Sequence, residues 1–299
     1  MTIALPHARN RPFLTDGGLE TTLIFHDGID LPHFASIMLL RTDEGRDRLR
    51  AYFESYLAIA REAGAGFILE SATWRAGPDW AAPLGLGGPE LDELNRKAIA
   101  QLRDLRAKHE SDALPIRVSG CIGPRGDGYS ADRIMTADEA AAYHGHQAAI
   151  FAGAGVDMVS AITMTNVPEA IGIVRAAAAY GLPCVISFTL ETDGRLPTGD
   201  ALDEAISVVD AATDTPPSYY MINCAHPSHF EAILEDGSPW TQRIEGLRAN
   251  ASRRSHAELD EAAELDSGDP HELGEDCRRL LGQLPALAVF GGCCGTDTR

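Results

Sequence analysis

The chain has 299 residues, 44% of them hydrophobic and 23% charged, an ordinary globular balance with room for one large domain or two small ones. Its formal net charge of -19 makes electrostatic binding to nucleic acid or an anionic membrane a poor fit, since like charges repel. No stretch approaches the roughly 18 apolar residues of a membrane span, and the N-terminal MTIALPHARNRPF lacks the apolar core of a signal peptide. A cytoplasmic protein is therefore expected, with its six cysteines reduced rather than forming a disulfide framework.

From the N-terminus, β-rich runs alternate with helical stretches. The runs are FLTDGG from Phe13, GFILESAT from Gly66, IRVSGCIGP from Ile116 and DMVSAITMT from Asp157. PCVISFTL from Pro183, YYMINCAH from Tyr219, IEGLRANAS from Ile244 and ALAVFGGCCG from Ala286 follow. Runs this short, rich in Val, Ile, Phe and Thr, suit strands buried on both faces. Between the first two, Leu49, Tyr52, Phe53, Tyr56, Leu57 and Ala60 recur at helical spacing. Thr136 with Glu139, and Asn166 with Glu169, read as helix N-caps with a partner three residues on. AGAGF at 63–67 and AGAGVD at 152–157 read as helix ends turning into strands. A dinucleotide-binding glycine loop would instead follow a strand and open a helix.

Strict alternation implies right-handed crossovers and a parallel sheet. The spacing predicts a single (β/α)8 TIM barrel domain over residues 1–299, with an open doubly wound sheet as the alternative. The sequence ends soon after the eighth run, so the last helix is expected to be missing. Two segments are long for barrel loops, TWRAGPDWAAPLGLGGP after the second run and SRRSHAELDEAAELDSGDP after the seventh, and both suit lids.

A barrel carries its active site at the C-terminal ends of its strands. Those ends hold Asp16, Gly17 and Gly18; Glu70, Ser71 and Thr73; Thr163, Thr165 and Asn166; Asn223, Cys224 and His226; Asn250 and Ser252; and Cys293 and Cys294. Cys121, Cys184 and Cys277 fall elsewhere and read as small buried hydrophobes. Cys224, Cys293 and Cys294 converge on one rim, and three thiolates suit Zn2+ with one coordination position open. Spacing alone leaves zinc, a vicinal disulfide and plain core thiols open. A zinc ion carrying three thiolates is a weak Lewis acid toward water. It would instead deprotonate a thiol substrate and leave that sulfur nucleophilic. Trp74 and Trp80 lie where they could surround a cationic donor, although aromatic side chains more often serve burial.

DGGLETTL at 16–23, SFTLETDGRLPTGD at 187–200, MINCAHP at 221–227 and GGCCGT at 291–296 together resemble the zinc-dependent homocysteine S-methyltransferase family over nearly the whole chain. The resemblance implies a TIM barrel with Cys224, Cys293 and Cys294 as zinc ligands. It implies methyl transfer from a sulfonium or quaternary ammonium donor to homocysteine or a related thiol, giving methionine or a relative. Its expected partners are a small-molecule thiol acceptor and a methyl donor; a homo-oligomer stays open. Asp16, Gly17 and Gly18 would hold the amino-acid end of the acceptor. Glu70, Thr163, Asn223 and Asn250 complete the expected substrate site. One position departs: where the family commonly shows Glu-Thr-Ile-Pro after the fourth strand, this chain has Ile162-Thr163-Met164-Thr165. Ile162 cannot hold an ammonium group unless a neighbour such as Glu70 or Glu191 substitutes, so the acceptor could be another thiol. A non-catalytic zinc- or thiol-binding barrel, acting as sensor or carrier, is the alternative, and a zinc hydrolase a minor one.

Overall fold

The structure, a computed structural model, describes residues 11–131, 134–234, 238–262 and 264–299. Its strands are β1 Phe13–Leu14, β2 Gly66–Glu70, β3 Ile116–Ile122, β4 Met158–Met164, β5 Cys184–Thr189, β6 Tyr219–Asn223, β7 Ile244–Ala249 and β8 Val289–Gly292. They form a closed barrel in chain order. Each pairs in parallel with the next, and Phe13 of β1 pairs with both Gly66 of β2 and Val289 of β8. Each strand lies in one of the eight expected β-rich runs.

The helices are α1 Leu19–Thr21, α2 Asp43–Glu62, α3 Gly88–His109, α4 Ala137–Ala154, α5 Val167–Ala179, α6 Leu202–Ala211, α7 Pro227–Phe230, α8 His256–Asp260 and α9 Pro270–Leu280. α2 buries Leu49, Tyr52, Phe53, Tyr56, Leu57 and Ala60, the stripe expected from the spacing. At α4, Thr136 accepts from the Glu139 backbone N–H and the Glu139 side chain bonds back, a full capping box. Asn166 accepts from the Glu169 N–H at α5. Gly155 ends α4 with a φ of 81°, which a residue without Cβ adopts at no steric cost. Among the described residues no helix follows β8.

Two apolar layers hold the barrel. The larger lies between strands and helices and includes Phe53, Phe67, Ile99 and Phe188. The smaller fills the barrel interior with Phe13, Ile68, Met158, Val185, Tyr219 and Val289, and its upper members are Cys121 and Ile162. Side chains alternate across a strand, so the inward row of β2 continues from Ile68 to Glu70. Near the C-terminal mouth the interior therefore changes from apolar to polar.

Candidate active site

β7 lies between β6 and β8 and brings the cysteines together. Its consecutive carbonyls, Arg248 O and Ala249 O, accept the N–H groups of Cys224 at 3.2 Å and Cys293 at 2.8 Å. The Sγ atoms of Cys224, Cys293 and Cys294 all lie within 4.8 Å of one another. The structure joins Cys224 to Cys293 as a disulfide, Cα–Cα 5.5 Å, and leaves Cys294 a free thiol. Of the alternatives that spacing left open, the vicinal Cys293–Cys294 disulfide is not formed, because β7 sets Cys224 directly against Cys293. Tetrahedral bonds of about 2.3 Å place sulfurs about 3.8 Å apart. Three soft donors gathered this closely, from two strand ends, fit one metal ion once the Cys224–Cys293 bond is reduced.

Two non-glycine residues at this rim have positive φ, Thr163 at 67° and Cys224 at 51°. Such backbone costs energy and persists only where its surroundings enforce it. Asn223 enforces the first: its Oδ1 accepts from the Thr163 N–H at 3.0 Å and from Ser187 Oγ at 2.6 Å. Its Nδ2 donates to Thr163 Oγ1 at 2.9 Å. The Cys224 carbonyl accepts from Asn250 Nδ2 at 3.1 Å and from His256 Nε2 at 2.7 Å. Asn223 and Asn250 thus stand behind the wall of the site, with these groups engaged inside the protein.

His256 begins α8 in the long segment after β7. Its Nδ1 lies 3.1 Å from Glu191 Oε1, and its ring stacks on Tyr129 with centroids 4.2 Å apart. The Tyr129 hydroxyl lies 3.4 Å from Cys294 Sγ. The segment after β7 therefore folds over the cysteines and is pinned to two of them through His256 and Tyr129.

The floor of the site is charged and buried. Arg248 donates to Asp16 Oδ1 at 2.7 Å, and Tyr52 donates to Asp16 Oδ2 at 3.2 Å. Burial pushes the Asp16 carboxyl above its ordinary value, and Arg248 and Tyr52 pull it only part of the way back. Burial opposes charge on Arg248, yet Asp16 and Glu70 more than offset this and hold the guanidinium protonated. Glu70 is pushed up to about 7, chiefly by burial, against the pull of Arg248 and the hydroxyls of Ser160 and Ser119. Its Oε2 is buried with no hydrogen-bond partner. Gly18 N–H donates to Thr296 O at 3.1 Å. A Cβ on Gly18 would come within 2.6 Å of Cys293 O, and one on Gly17 within 2.5 Å of the Tyr56 hydroxyl. The paired glycines let the C-terminal segment close onto β1.

A cavity of about 300 Å3 opens above this floor, a volume suited to a small ligand. Asp16, Gly17, Gly18, Glu70 and Thr163 line it together with the three cysteines, and Ile162 and Arg248 do so too. Trp74 also faces the cavity, with its indole N–H donating to Ile162 O at 3.1 Å. The cation over Trp74 and Trp80 is the chain's own Arg75, at 5.0 and 4.6 Å from their rings. His226 caps α7, where its Nδ1 accepts from Ser228 N–H. Burial lowers its pKa to about 4, and it faces Asp276 at 3.7 Å. Arg248, Tyr52, Tyr129 and His256 escaped the sequence reading. Tyr52 was read there only as one of the apolar stripe of α2, and Arg248 left its trace as one of two charges, with Glu245, in the strand run IEGLRA.

A family model described as homocysteine S-methyltransferase matches residues 13–299. A maize (Zea mays) relative named homocysteine S-methyltransferase 4 is 25% identical over 304 residues, covering 95% of this chain and 85% of the relative. The fold is similar to that of the Escherichia coli homocysteine methyltransferase MmuM. Its oxidized form superposes with a TM-score of 0.75 at 22% identity, covering 96% of this chain and 92% of that one. Its metallated form gives 0.72 at 20% identity, covering 97% and 94%.

Proposed function

The chain belongs to the homocysteine S-methyltransferase family, and from that premise we propose a zinc-dependent transfer carried out by one barrel domain. A methyl group passes from a sulfonium or quaternary ammonium donor to the thiol of homocysteine or a related acceptor. The observation that carries this reading is the meeting of three sulfurs within 4.8 Å at one barrel mouth. Cys224, Cys293 and Cys294 would hold the ion, which when bound lowers the pKa of an incoming thiol while leaving its sulfur electron-rich. The acceptor sulfur forms a bond to the methyl carbon as that carbon's bond to the positive donor atom breaks. The donor departs as a neutral thioether or amine, and the acceptor's proton leaves to solvent.

The chain's own residues supply placement. Asp16, Gly17, Gly18 and Glu70 form the end of the pocket offered to the acceptor's polar groups. Asn223 and Asn250 act through Thr163 and Cys224, whose backbones they hold. Tyr129 and His256 cover the sulfurs and exclude water. A reducing compartment such as the cytoplasm keeps all three thiols available. Among the described residues no helix is long and apolar enough to cross a membrane.

Metal analysis tests this directly. Reduced protein should take up about one zinc per chain, and Cys294→Ser should lose it. Mass spectrometry should find a methylated thiol when acceptors are paired with S-methylmethionine, S-adenosylmethionine or betaine. Full zinc retention in Cys294→Ser, or no methylated product from any pair, would sink the proposal.

A further inference from the structure

An α-amino-acid acceptor brings an ammonium group into a buried pocket, where it requires an anionic or strong hydrogen-bond acceptor. The position that the family resemblance assigns to this task holds Ile162, an apolar side chain 6% exposed. Two other carboxylates on the cavity wall, the buried Asp16 and the half-buried Glu20, are engaged. Asp16 is held by Arg248 and Tyr52, and Glu20 accepts from Ser36 Oγ at 2.7 Å. Glu70 differs: it is 5% exposed, lines the cavity, and keeps Oε2 without a partner.

Its location suits the role. Glu70 pairs in register with Ser119 of β3, whose hydroxyl lies 2.9 Å from that of Ser160 on β4. Ser160 precedes Ile162 by two residues, so the two share the inward face of β4. The charged and titratable groups around Glu70 are Arg248 of β7, Asp16 after β1, Cys121 of β3 and Tyr219 of β6. We propose that Glu70 is the acceptor-ammonium ligand of this enzyme, the carboxylate having moved from β4 to β2, and that the Arg248–Asp16 pair keeps Asp16 from that task. This rests on the thiol-methyltransferase reading above and names the group that selects its acceptor. An arriving ammonium satisfies the solitary Oε2 and favours the ionised form of a carboxyl that burial otherwise holds near neutral.

Calorimetric binding of L-homocysteine and of 4-mercaptobutyrate, the same thiol without its amino group, to reduced zinc-loaded protein tests it. Both probes share the sulfur contact, so their affinity ratio isolates the ammonium. Glu70→Gln should lower the preference for homocysteine by about ten- to a hundredfold, and Glu70→Gln with Ile162→Glu should restore it. An unchanged ratio in Glu70→Gln overturns the assignment. Should that variant fail to fold, Ile162→Glu alone still decides. It should raise the ratio by less than about threefold if the ammonium already has its carboxylate, and a tenfold rise would overturn the assignment. Methylated product, measured separately by mass spectrometry, reports on the transfer reaction, so the two ideas fail independently.

Discussion

Thr163 and Cys224 hold left-handed backbone at the mouth of the barrel, and neither is a residue type that adopts it freely. What holds Thr163 is the Asn223 side chain, bonded to its N–H and hydroxyl and to Ser187. Asn223→Ala takes the Asn223 partner from a buried N–H and two buried hydroxyls, which should cost about 2–4 kcal/mol in urea denaturation. An unchanged midpoint would show that Thr163 keeps its turn unaided. Glu70 makes a second prediction at this scale. Its folded pKa of about 7 lies above the ordinary 4.5, so folding favours its protonated form. The resulting stability is complete below the ordinary value and is lost as pH rises through about 7. The ligand-free protein should therefore gain melting temperature between about pH 8 and about pH 6, and gain less in Glu70→Gln. Equal gains in both would remove Glu70 as the cause.

At the level of elements, the segment after β7 does more than connect. Its short helix α8 opens with a reciprocal capping box between Ser255 and Glu258. His256, the next residue, ties it to the Cys224 carbonyl and to Tyr129. A five-residue helix has little stability of its own, so cap and anchor must hold it. His256→Ala should raise hydrogen exchange over residues 253–262 while leaving β6 and β7 protected, and unchanged exchange there would show the lid held by other contacts. The sequence marked this segment as long for a barrel loop, and its capping pattern is local. Its docking was not legible, because the contacts join His256 to residues from three other strand ends. The strands were legible for the opposite reason: each is a short apolar run whose burial on both faces shows in its own composition.

Across the whole molecule, the net charge of -19 means that compaction works against self-repulsion. Salt shortens the reach of that repulsion to about 10 Å at 0.1 M and less above it. The melting temperature should rise as sodium chloride is increased from low ionic strength to about 0.5 M, and a fall would mean that local ion pairs outweigh the net charge. The eightfold alternation, the helix caps and the place of Cys224, Cys293 and Cys294 just after their strands were determined by the sequence itself, because periodicity and capping are properties of neighbouring residues. Closure of the sheet into a barrel, by contrast, needed the pairing of β1 with β8. Tertiary structure alone decided that Cys224 faces Cys293 across β7, that Arg248 engages Asp16, and that Glu70 is left with a solitary oxygen. Those outcomes depend on which side chains from distant strands share one small volume, and on how burial there sets their charge.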